Sequence, residues 1–278
     1  MEINQIKRYK LHLINEEKSA ATIEKYVRDI TMFYKWLNCR ELTKEIVLRY
    51  KQKLMKNYAI ATVNAAICSL NGFFAYIGRL DLKMKSLKLQ RKIFCQGEKE
   101  LTKAEYEKLL KSALAKKNER LYLIMQTICA TGIRVSELSY ITYEAVYLGQ
   151  AQVKLKGKIR VVFLNKDLCR LLKKYMKRLG ITKGCVFVTK SGKPIDRYAI
   201  WKSMKELCKA ANVSKDKVFP HNLRHLFART YYNLQKDIVR LADILGHSSI
   251  NTTRIYTIET GEECRRQIAR LGLVRMRI

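Results

Sequence analysis

Apolar residues recur at steps of three and four positions along most of this chain, and this spacing constrains the fold more than any other feature of the sequence. Behind Ser19, which can cap a helix, such a stripe runs from Ile23 to Leu37. Similar segments span residues 44–56, behind Thr43, and 59–77, which ends at a glycine. With residues 3–14, these segments predict a bundle of about four helices in the first part of the chain.

The clear β pattern lies in one stretch, "AQVKLKGKIRVVFL", at residues 151–164. It predicts two strands, 152–156 and 159–164, around a turn at Gly157. The run "CVFVT" at 185–189 predicts a third short strand. Further helices are expected at 196–211, 220–234, 237–245, 249–257 and from about 259 onward. The predicted fold class is therefore mainly α with a small β-sheet.

The helical pattern breaks between residues 82 and 100, where the sequence is basic and weakly periodic. We expect a helical N-terminal domain over 1–82, a linker over 83–100 and a mixed α/β domain over 101–278. Thr102 and Glu105 have the spacing of a capping box, which suits the start of the first helix in the second domain. A chain of 278 residues is long enough for two domains of this size.

The charge balance is unusual for a globular protein. The chain contains 56 lysines and arginines against 24 acidic residues, a formal net charge of +32, and both parts of the chain are basic. Such a field favours a polyanionic partner, most often nucleic acid. A highly charged solvated surface, or a basic DNA-binding protein without catalytic activity, would also account for the charge.

The eight cysteines are widely spaced and contain no C-x-x-C pair, so they predict neither a zinc site nor a disulfide framework. Reduced thiols fit a cytoplasmic protein best. The N-terminus is too charged for a secretory signal, and the longest apolar runs fall short of the ~20 residues that a membrane span needs. We therefore expect a cytoplasmic protein that has no membrane partner.

Several residues have types that suit one reaction, although each has an ordinary structural explanation when taken alone. An isolated arginine is usually a surface charge, hairpin lysines usually keep an edge strand soluble, and a helical histidine is usually packed or capping. The candidate site residues are Arg134, Lys156, Lys158, His221, Arg224, His247 and Tyr256.

Together these residue types suit phosphoryl transfer. Guanidinium and imidazole donors stabilise the negative charge that builds on a phosphodiester under attack. A tyrosine can form a covalent phosphoester, and a lysine ammonium can protonate the departing oxygen. Because one ester replaces another, the reaction needs no energy source, and the sequence contains no nucleotide-binding loop. We expect neither a metal ion nor a cofactor.

Three stretches, "ATGIRVSEL", "HNLRHLFA" and "LGHSSINTTRIYT", resemble the catalytic signatures of the tyrosine recombinase (phage-integrase) family, in particular its short Xer-type members. The resemblance covers the whole chain, and the N-terminal bundle resembles the core-binding domain. It implies that Arg134 is the first catalytic arginine, that His221 and Arg224 form the H-x-x-R pair, that His247 is the second histidine and that Tyr256 is the nucleophile. It also implies that Glu137 buttresses the site and that His225 is part of the scaffold.

The hairpin departs from the family pattern. The family's K-G-x-x-K-x-R turn is longer, and here the stretch is "KGKIR". The catalytic lysine of the family aligns with Lys156, while Lys158 could occupy the tip of the turn. We favour Lys156 as the general acid, and Lys158 stays the alternative.

The resemblance implies a site-specific recombinase that cuts and rejoins DNA through a 3′-phosphotyrosine and a Holliday junction. Its partners would be double-stranded DNA with inverted half-sites and three further copies of the chain, with the C-terminal helix packing onto a neighbour and a monomer free in solution. We expect a compact recombinase without an arm-binding module. A type IB topoisomerase shares this chemistry and is the alternative enzyme. Integration, excision, inversion and dimer resolution differ in the placement of the DNA sites rather than in the chemistry of the protein.

Overall fold

The computed structural model describes residues 3–88, 100–155, 158–189, 191–256 and 261–273. The chain forms two compact units, Met1–Lys92 and Ile93–Ile278. Both are mostly helical, and the described part of the chain contains one small sheet of two strands. The predicted fold class, mainly α with a small sheet, is confirmed.

The first unit is a bundle of four helices, as the spacing of apolar residues predicts. Ser19 and Thr43 cap the second and third helices by accepting hydrogen bonds from Thr22 N and Ile46 N. Phe33 and Phe73 lie in the buried core of the unit. The helices are α1 (Ile3–Asn15), α2 (Ala20–Leu37), α3 (Lys44–Asn57) and α4 (Ile60–Tyr76), followed by a 3-10 turn, Leu80–Leu82.

The second unit packs its helices around a separate core that includes Leu109, Ile124, Leu172 and Leu223. The predicted capping box is present, because Thr102 and Glu105 each accept a hydrogen bond from the other's backbone. The α-helices are α5 (Lys103–Ala115), α6 (Glu119–Thr131), α7 (Tyr143–Leu148), α8 (Lys166–Leu179), α9 (Arg197–Ala211), α10 (Pro220–Gln235), α11 (Ile238–Leu245), α12 (Ile250–Thr253) and α13 (Gly261–Arg270). The 3-10 segments are Val135–Tyr140, Lys215–Lys217 and Arg254–Tyr256.

The sheet is an antiparallel hairpin of β1 (Gln150–Leu155) and β2 (Lys158–Phe163). One face packs into the core through Ala151, Val153 and Val162. The third strand predicted at 185–189 is wrong, because this run makes only isolated bridges, Thr142 with Cys185 and Val188 with Pro194. Its apolar residues Val186 and Phe187 are buried in the core instead, so burial rather than strand pairing explains the run.

No helix in the described ranges is long and apolar enough to cross a membrane.

Gly132 ends α6 in the left-handed conformation, with φ of 64°. A Cβ at this position would lie 2.5 Å from a ring carbon of Phe227 and 3.0 Å from a methyl of Leu245. The chain can therefore turn out of α6 against α10 and α11 only because residue 132 lacks a side chain.

We predict that Gly132→Ala destabilises the protein more than Gly180→Ala, which provides a matched control. Gly180 ends α8 with φ of 65°, and a Cβ there would meet nothing within 4 Å. Both variants should lose roughly 1–2 kcal/mol from left-handed strain, and Gly132→Ala should lose a further ~1–3 kcal/mol from overpacking. Chemical denaturation measures the difference. Equal losses in the two variants would show that the side chains of Phe227 and Leu245 can move away from the added Cβ without a loss of stability.

Candidate active site

Four separate chain segments bring the candidate residues of the second unit together. Arg134 follows the end of α6 and begins the 3-10 segment Val135–Tyr140. His221 and Arg224 lie in the first turn of α10, which starts at a proline. His247 follows the glycine that ends α11, and Tyr256 ends the 3-10 segment that continues α12.

The carboxylate of Glu137 holds two arginines. It is 1% exposed, and it accepts hydrogen bonds from the backbone N and from Nη1 of Arg134, both at 2.9 Å. Its other partner is Nη2 of Arg160. Burial acts to raise the pKa of Glu137, but the backbone hydrogen bond from Arg134 and the charge of Arg160 outweigh it and lower that pKa. Glu137 is therefore ionised and makes the buttressing contact predicted for it.

Arg160 is a site residue that sequence reasoning missed. It lies on β2, pairs with Glu137 and donates from Nη1 to the carbonyl oxygen of Ile244 at 2.6 Å. Its side chain also packs on Gly246, where an added Cβ would lie 2.4 Å from Arg160 Cδ. Arg160 is the last residue of "KGKIR", so the sequence contained a signal for it. The role predicted for that stretch was given to its two lysines instead.

Arg224 is 1% exposed and is held by main-chain carbonyls. Nη1 donates to Gly132 O at 2.6 Å, and Nη2 donates to Leu245 O at 2.8 Å. Its Nε is buried without a hydrogen-bond partner among the described residues. Burial first, and then the charge of Arg134, lower the pKa of Arg224 to about 10, so the guanidinium stays protonated at neutral pH.

The geometry around His247 assigns its tautomer. Nε2 lies 2.9 Å from Arg224 Nη2, and Nδ1 lies 2.8 Å from Thr253 Oγ1. Because a guanidinium can only donate, Nε2 accepts and Nδ1 carries the proton. Burial and the charges of Arg224 and Arg134 lower the pKa of His247 to about 4, so the ring is neutral at neutral pH. Thr253, which is fully buried, is a second residue that sequence reasoning missed.

His221 and His225 continue the cluster along α10. Their ring centroids lie 4.6 Å apart. The His221 side chain is exposed at the opening of the site, yet partial desolvation by the surrounding protein, followed by the charges of Arg224 and Arg134, lowers its pKa. Burial and the neighbouring His221 lower the pKa of His225 to about 4. The buried Nε2 of His225 has no hydrogen-bond partner within the described ranges.

Tyr256 lies between two of these histidines. Its ring stacks on His247 at 6.0 Å with an interplanar angle of 18°, and it meets the ring of His225 edge to face at 4.7 Å. The side chain is 4% exposed and packs in a small cluster with Ala228, Leu241 and Leu245. Two other tyrosines, at 231 and 232, pack against the outside of the same cluster.

The structure thus brings together Arg134, His221, Arg224, His247 and Tyr256. Lys156 lies outside the described residues. Lys158 pairs with Leu155 at the end of the hairpin, and its side chain is not among those described. The choice between the two lysines stays a prediction.

The site is an open cationic cavity. It has a volume of about 750 Å³ and is lined in part by Arg134, His221 and Arg224. The guanidiniums of Arg134 and Arg160 share one buried carboxylate, and the buried Arg224 adds a third positive charge, so positive charge is in excess and His247 is neutral. An anionic phosphodiester would relieve that excess and raise the pKa of each imidazole. The arrangement suits binding and polarisation of a phosphate.

Comparison with protein families gives two matches. The model of the phage integrase family matches residues 99–263, and that of the phage integrase N-terminal SAM-like domain matches residues 2–84. Tyrosine recombinase XerA of Pyrococcus furiosus is 28% identical over 97% of this chain and 94% of that protein. Tyrosine recombinase XerD of Listeria monocytogenes is 30% identical over 89% of this chain and 91% of that protein.

Two crystal structures show the same fold. A XerA recombinase is 26% identical with a TM-score of 0.53, over 98% of this chain and 99% of the other. A lambda integrase dimer bound to a core site is 17% identical with a TM-score of 0.74, over 99% of this chain and 98% of the other.

We predict that acid destabilises the free protein partly through His225 and His247, whose pKa values of about 4 lie below the unfolded value of about 6.5. Their contribution to stability is complete above pH 6.5 and is lost as the pH falls towards 4, because the unfolded chain binds the protons first. Each histidine adds at most about 1.4 kcal/mol per pH unit, and His247 adds less because water screens its half-buried ring.

Urea denaturation between pH 7.5 and pH 4.5 measures this slope. The double variant His225→Gln/His247→Gln should show a shallower dependence than the parent, while carboxylates titrate equally in both. Parallel curves for the two proteins would contradict the assignment of neutral, buried imidazoles.

Proposed function

The chain belongs to the phage integrase family and is a tyrosine-type site-specific DNA recombinase, and we propose that Arg134, His221, Arg224, His247 and Tyr256 carry its chemistry. The enzyme cuts and rejoins DNA strands through a 3′-phosphotyrosine intermediate. The family membership favours this activity over relaxation of supercoils by a type IB topoisomerase.

One observation carries the assignment of these residues. Arg224 is a fully buried cation, and no carboxylate in the described part of the chain forms a salt bridge with it. Its partners include two carbonyls, an imidazole and the side chain of Tyr256, which orient the guanidinium but do not neutralise it. A buried charge without a counter-ion is costly. A phosphate in the cavity would supply the missing anion beside the ring of Tyr256.

In the proposed cleavage step, the Tyr256 hydroxyl attacks the scissile phosphorus and releases its proton to solvent. The bond to the 5′-oxygen breaks, and the DNA 3′ end stays on the tyrosine. The guanidiniums of Arg134 and Arg224 bind the two non-bridging oxygens as their charge grows. His221 and His247 add imidazole contacts once the phosphate has raised their pKa. The 5′-oxygen leaves as a hydroxyl, with a proton from Lys156 or, in the alternative, Lys158.

Ligation reverses these steps. The 5′-hydroxyl of the partner strand attacks the phosphotyrosine and gives its proton to the lysine, and the tyrosine oxygen leaves and takes a proton from solvent. Because one phosphoester replaces another, the exchange needs no external energy. Two such exchanges on paired sites make and resolve a Holliday junction.

The division of labour between the two units is also a proposal. The domain boundaries predicted above, 1–82 and 101–278 with a linker over 83–100, assign DNA binding to the helical bundle and catalysis to the second unit. The net charge of +32 suits a protein that contacts DNA phosphates through both. We propose double-stranded DNA with inverted half-sites as the substrate, and a homo-tetramer on two sites, with the C-terminal helix packing onto a neighbour. The six cysteines that the structure describes form no disulfide, which suits action in the cytoplasm.

We predict a covalent adduct at Tyr256. The test uses a nicked duplex carrying the site that the protein selects from a random library, so that the short 3′ fragment diffuses away after cleavage. The adduct should resist SDS and map to Tyr256 by peptide mass analysis. Tyr256→Phe should shift the DNA in a gel but form no adduct, and Tyr231→Phe is the matched control that should still form one. EDTA should leave the yield unchanged. An adduct on another tyrosine, or cleavage by Tyr256→Phe, would overturn the assignment.

The general acid is tested with DNA in which sulfur replaces the bridging 5′-oxygen. A thiolate leaves without a proton, so this substrate should restore cleavage to the variant that lost the acid. We expect restoration for Lys156→Ala and little defect in Lys158→Ala. The opposite pattern would assign the role to Lys158. Failure to restore either variant would exclude a lysine acid.

A further inference from the structure

The first turn of α9 forms part of the wall of the active-site cavity and has no part in the mechanism above. Arg197, Tyr198 and Trp201 line the same cavity as Arg134 and His221. Asp196 caps the helix by accepting a hydrogen bond from Tyr198 N at 3.1 Å. This turn therefore presents its side chains directly beside the residues proposed to hold the scissile phosphate.

Tyr198 and Trp201 form a stacked aromatic pair that faces solvent. Their ring centroids lie 5.6 Å apart with an interplanar angle of 28°. Tyr198 is 65% exposed and Trp201 is 39% exposed, so Tyr198 is the outer ring. Large aromatic surfaces usually lie in a core or at an interface.

The surroundings of the pair are cationic. Lys205 Nζ lies 5.6 Å from the Trp201 ring, and Arg197 and Arg134 line the same cavity. Asp196 is the one acidic side chain among the residues that line the cavity, and it is engaged as the helix cap. Aromatic rings next to guanidinium and ammonium groups favour a ligand that has both an anionic backbone and a flat apolar surface. A nucleotide has both features.

The proposed reaction supplies such a nucleotide. A strand can change partner only if the base pairs next to the cut separate, so bases beside the scissile phosphate lose their stacking during exchange. An unpaired base gains roughly 1–3 kcal/mol by stacking on an aromatic side chain, and this contact tolerates any base. The cavity has a volume of about 750 Å³, which is large enough for a nucleotide but too small for duplex DNA.

We propose that Tyr198, supported by Trp201, stacks on the unpaired base next to the scissile phosphate and holds the strand during exchange. The proposal rests on the proposed function. It adds a binding site for one nucleotide beside the phosphate site, and it makes Tyr198 a positioning residue for strand transfer rather than a participant in the bond-breaking step.

The test compares two duplexes that differ only in a mismatch at the base pair next to the cleavage point. The parent protein should bind the mismatched site about tenfold more tightly, because stacking of 1–3 kcal/mol corresponds to roughly 5- to 150-fold. Tyr198→Leu removes the aromatic face but keeps an apolar side chain, and it should lose this preference. Tyr198→Phe should keep it.

A control variant separates this effect from the general loss of an exposed aromatic ring. Tyr147 is 54% exposed and packs on Tyr143 at 4.6 Å, and neither lines the cavity. Tyr147→Leu should retain the mismatch preference. A second measurement follows Trp201 in a Trp36→Phe background, since these are the two tryptophans of the chain. Mismatched DNA should quench its fluorescence more than matched DNA.

The proposal is overturned if Tyr198→Leu keeps the mismatch preference, or if it weakens both duplexes equally, which would mean an ordinary groove contact. Thermal melting shows whether each variant is folded, and the Tyr198→Phe result stands as the conservative check. Covalent adduct formation by the parent protein tests the proposed function separately. An active parent without a mismatch preference would defeat only the stacking site, and a parent without an adduct would defeat the recombinase mechanism.

Discussion

A buried guanidinium that pairs with no carboxylate among the described residues organises the second unit. Arg224 receives its orientation from the carbonyls of Gly132 and Leu245, which end α6 and α11, and from His247. The ends of α6 and α11 therefore meet at one cation on α10, and a shift of either helix end would leave a buried charge without its hydrogen-bond partners. In the proposed mechanism this same cation binds the scissile phosphate. Stability of the fold and affinity for the proposed substrate would then depend on one side chain.

The second constraint is the sharing of Glu137 between Arg134 and Arg160. One carboxylate holds two cations in place but neutralises only one of them, so the site keeps a positive excess. That excess, added to burial, lowers the pKa of His221, His225 and His247. These three imidazoles are therefore neutral in the free protein at neutral pH, and a bound phosphate would favour their protonation. A phosphate bound as proposed would therefore change the protonation of the site.

The exposed aromatic pair on α9 extends this site from a phosphate to a nucleotide. Tyr198 and Trp201 line the same cavity as Arg134 and His221, although neither Arg134 nor His221 is close to α9 in the sequence. A backbone contact and a base contact in one cavity would let the protein hold a strand after its bond has been cut. Strand exchange needs such a hold, because the cut end must neither re-pair at once nor escape.

The sequence alone determined the helical fold, the positions of most helices and the set of residue types at the site, because spacing, caps and short motifs are local properties. Ser19, Thr43 and the Thr102–Glu105 box are examples in which side chain and helix end are only a few residues apart. The tertiary structure determined which motifs contact one another. The apolar run at 185–189 packs in the core instead of pairing as a strand. Arg160 forms a hydrogen-bonded ion pair with Glu137, which is 23 positions away in the sequence. The His247 tautomer and the hydrogen-bond partners of Arg224 likewise depend on distances between segments, and local sequence patterns do not encode such distances.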